Sequence, residues 1–193
     1  MGKGRLEAFS DGVMAIIITI MVLELNVPQG TDWAALRPVA PALLSYLLSF
    51  IFLGIYWNNH HHLIHAARSV NGRILWANLH LLFWLSLTPF ITEWMGETRF
   101  AAGPVAAYGV VQLAAAVAYF LLAHSLISHH GRDSTLAKAL GSDFKGKISV
   151  ALWAAAIPLA SVSRWIACGI YVTVAIIWLV PDRRLERALT EGL

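Results

Sequence analysis

Six apolar segments occupy most of this sequence, and segments of that kind cross lipid bilayers. A helix needs about 20 apolar residues to span the hydrocarbon core. Unpaired backbone groups are too costly in lipid, so only helices and closed barrels span membranes. Each segment is too long and continuous for a barrel strand, so the sequence predicts helices. The segments cover residues 8–27, 39–58, 74–94, 104–127, 148–162 and 165–181.

The composition agrees with an integral membrane protein. Hydrophobic residues form 58% of the chain and charged residues only 13%, whereas a soluble domain carries roughly 25% charged residues. We therefore predict an all-α polytopic membrane protein with six transmembrane helices, forming a single domain over residues 1–193. The net charge of +3 is also compatible with nucleic-acid binding. The basic residues sit between apolar segments, however, where they orient a chain in the membrane and bind no nucleic acid.

Lys and Arg residues are divided unevenly between the two ends of the predicted bundle. The N-terminus, residues 59–73, residues 129–147 and the C-terminal tail hold eleven of the 14, while the other three connections hold one each. Connections rich in Lys and Arg stay in the cytoplasm. The sequence therefore predicts a multi-pass plasma-membrane protein with both termini cytoplasmic. Near the outer interface, where indole rings prefer to lie, it places Trp33, Trp94 and Trp165.

The first apolar segment begins with the polar stretch "RLEAFSDG". Arg5 and Phe9 are four residues apart and share a helix face, with Ser10 and Asp11 beside it. A helix start whose charged side chains reach the membrane surface explains Arg5. It explains Asp11 less well, since Asp11 lies more than a turn into the helix and needs a partner. Ionisable groups inside a span are candidate functional residues by default.

Residues 5–11 have the form R-x-x-x-F-S-D, which resembles the signature of the transmembrane protein 175 family of potassium channels. Two further stretches resemble the same family. Residues 49–61, "SFIFLGIYWNNHH", are similar to its second helix, and residues 75–90, "LWANLHLLFWLSLTPF", to its third. The resemblance covers residues 5–94, and beyond them only the helix count agrees.

The resemblance implies a homotetrameric, potassium-preferring channel without a cofactor, in which the first helix of each copy lines the pore. The family's constriction lies five residues after the motif aspartate, which is Ile16 here, and Thr19, Ile20 and Leu23 continue that face. A ring of large apolar side chains resists wetting and acts as a gate. The stretch "AIIITIMVL" is equally typical of a helix that faces lipid or its own bundle. Glu24, nearer the outer end, is either a cation-attracting residue or an interface residue.

The resemblance also implies a structural network on the cytoplasmic side of the first helix. His60 takes the place of the family's helix-two histidine, and we expect it to bond with Asp11 or Ser10. Asn78 is a candidate third partner, and Arg5 is expected in the same network. Buried polar contacts of this kind hold membrane helices in register.

The eight histidines lie toward the cytoplasmic ends of the second, third and fourth segments, which raises a rival hypothesis. A membrane di-iron oxygenase or desaturase, or a metal-ion transporter, would place imidazoles there. His61 and His65 are four residues apart, a usable ligand pair. The H-x-x-H-H box of such oxygenases is missing, however, and few carboxylates accompany the histidines. We therefore expect no metal site and no catalytic residues, and an interfacial role for His61, His62, His129 and His130.

Overall fold

The computed structural model describes residues 2–131 and 143–179. These residues form seven α-helices and one short 3-10 helix, Trp33–Leu36, and no strand occurs among them. The predicted all-α class is therefore confirmed. The helices are α1 (Gly4–Leu23), α2 (Ala40–His65), α3 (Gly72–Ser86), α4 (Thr88–Glu97), α5 (Ala102–His130), α6 (Phe144–Val162) and α7 (Arg164–Leu179).

Five helical stretches are long and apolar enough to cross a membrane. They are α1, α2, the pair α3 and α4 taken together as Gly72–Glu97, α5 and α6. The sixth apolar helix, α7, has 16 residues in the described part of the chain. The six predicted helices are therefore present in the predicted order.

The third span is divided close to a proline. α3 ends at Ser86 and α4 begins at Thr88, with Leu87 between them. Pro89 lies in the first turn of α4. Proline has no N–H and its ring clashes with the preceding turn, so the hydrogen-bond ladder breaks there. Pro158 differs, because it lies inside α6, which continues to Val162.

Two helices extend further toward the predicted cytoplasmic end than the apolar pattern indicated. α2 was expected to stop at residue 58 and α5 at 127, but they reach His65 and His130. The added turns carry histidines. Imidazoles near a helix C-terminus interact favourably with the helix dipole. The rings of Trp57, His61 and His65 also follow one another along α2, with centroids 6.1 Å and 5.9 Å apart.

Two apolar clusters form the core, and α5 contributes to both. One cluster joins α5 to α1 and α3 through residues such as Met14, Leu81 and Leu122. The other joins it to α6 and α7 through residues that include Tyr108 and Tyr171. α5 is therefore the central helix of the protomer, whereas α1 lies at its edge. The buried residues of α1 follow a helical spacing of three or four: Leu6, Ser10, Met14, Ile17 and Met21.

The backbones of α2 and α4 approach each other closely at Gly96. A Cβ atom at this position would lie 2.7 Å from Ala42 Cα and 2.6 Å from Ser45 Oγ. Backbone atoms cannot move aside as the end of a flexible side chain can. Small residues at such crossings let membrane helices pack through their backbones.

We predict that Gly96→Ala destabilises the protein by about 1–3 kcal/mol, the usual cost of overpacking a core. A Cβ atom at Gly54, in the middle of α2, would meet nothing within 4 Å. Gly54→Ala should therefore leave stability unchanged or slightly higher, since alanine is the better helix former. Thermal unfolding of the two purified variants measures the difference. Equal melting temperatures would show that the α2–α4 crossing does not limit stability.

Candidate functional site

One face of α1 is left uncovered by the rest of the protomer. Ile16 is 59% exposed and Leu23 82% exposed. Thr19 and Ile20 are exposed on the same face, because residues three or four apart in a helix are neighbours. The four residues predicted to line an ion path therefore lie together on one surface, which we call the α1 stripe (Ile16, Thr19, Ile20 and Leu23).

Thr19 is the polar member of the α1 stripe. Its hydroxyl donates a hydrogen bond to the carbonyl of Ile16, with 2.9 Å between the oxygens. A hydroxyl oxygen has two lone pairs, and this bond uses the hydrogen and neither lone pair. The oxygen is therefore able to accept a proton donor or a cation from outside the protomer.

A fully buried chain of hydrogen bonds joins α1, α3 and α2. The Asn78 side-chain NH₂ donates to Ser10 Oγ at 2.9 Å, and His60 Nε2 lies 2.7 Å from Asn78 Oδ1. Since Asn78 Oδ1 is an acceptor, His60 Nε2 carries the hydrogen. The Ser10 hydroxyl in turn donates to the Leu6 carbonyl at 2.8 Å. Asn78 is therefore the centre of the network, and it links the His60 ring to Ser10 of α1 by hydrogen bonds.

Closer to the N-terminus of α1, three contacts join this helix to α2, which runs antiparallel to it. Each lies four residues from the next on both helices, so all three fall on one face of each helix. We call this set the α1–α2 ladder. Its contacts are Trp57 Nε1 donating to Asp11 Oδ1 at 3.1 Å, His61 Nδ1 lying 3.3 Å from Glu7 Oε1, and Lys3 Nζ donating to the carbonyl of His65.

The structure divides the R-x-x-x-F-S-D motif between two sides of α1. Ser10 and Asp11 face the neighbouring helices, with Asp11 bonded to Trp57 and not to a histidine. Arg5 and Phe9 are exposed, and within residues 2–131 and 143–179 no hydrogen bond or ion pair of the Arg5 side chain is seen. The expected partners of Asp11 did not include Trp57. The sequence did carry a signal for this contact. Polar residues 3, 7 and 11 have the same four-residue spacing as residues 57, 61 and 65 of α2.

The histidines at the end of α5 form hydrogen bonds with the connection between α2 and α3. His130 Nε2 accepts from the backbone N–H of Arg68 at 3.1 Å. His129 Nε2 lies 3.1 Å from Ser69 Oγ. Neither ring is directed at a cluster of metal ligands, and in the described part of the chain no three His, Cys, Asp or Glu residues are grouped to hold a metal ion. The two rings therefore join the end of α5 to the connection between α2 and α3.

Glu24 caps the far end of α1, beyond the membrane-spanning part of that helix. Partial burial raises the pKa of the Glu24 carboxyl, and the nearby charge of Glu93 raises it further. A carboxyl with a raised pKa loses its negative charge at a higher pH than an ordinary glutamate does.

Comparisons with known proteins agree with this architecture. The family model described as endosomal/lysosomal potassium channel TMEM175 matches residues 5–89. A potassium channel from Chryseobacterium sp. is 55% identical over the full length of both chains, and one from Chamaesiphon minutus is 31% identical, covering 90% of this chain and 91% of its own. The crystal structure of a lysosomal potassium-selective channel TMEM175 homolog from Chamaesiphon minutus superposes with a TM-score of 0.78 at 28% identity, covering 92% of this chain and 96% of that one.

We predict that Asn78→Leu impairs assembly, because it leaves Ser10 and His60 buried without their partner. An unsatisfied buried polar group costs about 1–3 kcal/mol. Asp11→Ala removes a single, partly exposed bond and should impair assembly less, by about 0.5–1.5 kcal/mol. Size-exclusion chromatography and thermal unfolding measure both effects. Normally assembled Asp11→Ala protein with an altered ion preference would show instead that Asp11 faces the ion path.

Proposed function

The chain belongs to the TMEM175 family, and we propose that it forms a passive, potassium-preferring channel whose pore is lined by α1. The family is one of ion channels, so the protein is not an enzyme, and the oxygenase hypothesis is set aside. The observation that carries the proposal is the α1 stripe, an uncovered face at the edge of the protomer that begins at Ile16.

We infer that four copies of the chain assemble around the pore. A single protomer contributes one α1, and one helix cannot enclose an axis. Four α1 helices placed with their stripes inward can enclose a narrow path. This arrangement removes from lipid large apolar side chains that the isolated protomer leaves exposed, including Phe9 at 53% and Leu23 at 82%. The contacts of α1 with α2 and α3 inside each protomer stay intact in this arrangement.

In this tetramer Ile16 forms the narrowest ring of the ion path. A ring of branched apolar side chains resists wetting and holds back hydrated ions. Potassium is less strongly hydrated than sodium, so it loses less on shedding water in such a ring. One turn further along, the Thr19 hydroxyl oxygens are acceptors for a partly dehydrated ion. Ile20 and Leu23 continue the path toward its outer end.

Both termini are assigned to the cytoplasm of a cell whose plasma membrane holds the channel. The exposed indoles of Trp33, Trp94 and Trp165 support this orientation. They lie on the connection after α1, at the end of α4 and at the start of α7, which is one end of the bundle. Indole rings prefer the membrane interface, and the connections at that end carry few Lys and Arg residues.

We predict that Ile16→Asn gives larger currents and poorer discrimination between potassium and sodium. The amides lower the barrier to wetting and supply oxygens that suit both ions. Ion flux into liposomes that contain the purified protein, measured separately for each ion, tests this expectation.

Val22→Asn is the matched control for this variant. Val22 is 46% exposed and lies about 120° around the helix from Ile16. Met14 and Ile17 are unsuitable because they are buried inside the protomer, so an amide there would damage packing. Unchanged conduction in Ile16→Asn together with altered selectivity in Val22→Asn would place the pore on a different face of α1.

The orientation predicts that a reporter fused after Leu193 behaves as a cytoplasmic protein. A fluorescent protein that folds only in the cytoplasm and an enzyme active only outside it form a suitable pair. The same fusions placed after Gly30, in the connection following α1, should give the opposite result. Outside activity after Leu193 would contradict both the orientation and the count of six crossings.

A further inference from the structure

A cavity of about 340 Å³ lies between α2, α5, α6 and α7, and no residue of α1 lines it. Sites for small molecules have volumes of roughly 300–1,000 Å³. Along α2 the cavity extends from Phe52 to Asn59, which is about 10 Å at the helical rise per residue. Its long dimension therefore follows the helices, as a lipid chain in a bilayer does.

The uncharged polar side chains in the cavity wall are bonded to one another or to the backbone. Trp178 Nε1 donates to Ser149 Oγ at 2.8 Å. The Tyr119 hydroxyl donates to the Asn59 carbonyl at 3.2 Å, and the Asn59 amide to the Ile55 carbonyl at 2.8 Å. Most of their donors are already used, so the wall presents mainly ring and hydrocarbon surface to an occupant. Such a wall suits an alkyl chain and not a polar metabolite.

Charged groups are found at one end of the cavity, at the start of α6. Asp143 caps this helix, with its Oδ1 accepting from the Gly146 N–H at 3.1 Å. Lys147 also lines the cavity and is exposed. In the part of the chain that the structure describes, its ammonium group makes no hydrogen bond or ion pair. An uncommitted cation therefore stands beside the entrance to an apolar cavity.

We propose that this cavity binds one acyl chain of an anionic phospholipid, with the lipid phosphate against Lys147. Val117 and Phe120 form one wall and are 41% and 50% exposed on the surface of α5, so the cavity opens toward the surrounding bilayer. An anionic headgroup complements the uncommitted charge of Lys147. The site is separate from the α1 stripe and does not depend on the pore assignment.

Native mass spectrometry of the full chain in neutral detergent tests the proposal, with phosphatidylglycerol and phosphatidylcholine of identical acyl chains as probes. The wild-type protein should retain phosphatidylglycerol preferentially. Lys147→Gln should reduce that preference about fivefold, since one Lys near the membrane surface contributes roughly 1 kcal/mol toward an anionic lipid. Lys145→Gln removes the same charge from the same turn of α6 but from outside the cavity, and it should leave the preference unchanged.

A second pair of variants tests the acyl-chain site. Ala116→Phe fills the cavity and should abolish tight retention of both lipids, and Val117→Trp should do the same from the more exposed side of the wall. Equal retention of the two lipids by the wild type, or unchanged retention in the filled variants, would overturn the proposal. So would equal effects of Lys145→Gln and Lys147→Gln, which would indicate a diffuse surface attraction. If neither filled variant folds, the comparison of the two lysine variants decides the outcome.

Discussion

The buried hydrogen-bond chain from Ser10 through Asn78 to His60 is the constraint on which the rest of this structure depends. Lipid tails are as apolar as leucine, so hydrophobicity does not decide which side of a transmembrane helix faces its neighbours. α1 is apolar on nearly all sides. Its rotation is therefore set by polar groups, and Ser10 bonded to Asn78 turns one face inward. The opposite face, with Ile16 and Leu23, is left for contact outside the protomer.

The α1–α2 ladder reinforces the same rotation at the end of the helix. Asp11, Glu7 and Lys3 each meet α2 from the side of α1 that adjoins Ser10. The ladder is more exposed than the buried chain, and exposed charge pairs contribute little to stability. The contacts of the ladder therefore set the offset of α1 and α2 along their axes, and they add little to the free energy of folding. For this reason Asn78→Leu is expected to destabilise the protein more than Asp11→Ala.

The proposed pore residues and the proposed lipid cavity lie in different parts of the protomer. The family model matches residues 5–89, which hold the α1 stripe and the buried network. The second apolar cluster belongs mostly to α5, α6 and α7, and the proposed lipid cavity lies on that side. α5 belongs to both clusters, so it is the physical connection between them. A lipid bound beside α5 would therefore contact the helix against which the pore-side helices pack.

The sequence alone determined the class, the six helices in order and the family, because apolar length and a short motif act locally. The helix ends at His65 and His130 were missed, since polar residues continue a helix when tertiary contacts satisfy them. The partner of Asp11 and the central place of Asn78 were decided by tertiary structure. Ser10 and Asn78 are 68 residues apart, and no local pattern links them. The exposed face of α1 was predicted only through the family resemblance, because a helix that is apolar all round carries no periodicity from which its orientation follows. The cavity beside α5 was decided by tertiary structure alone.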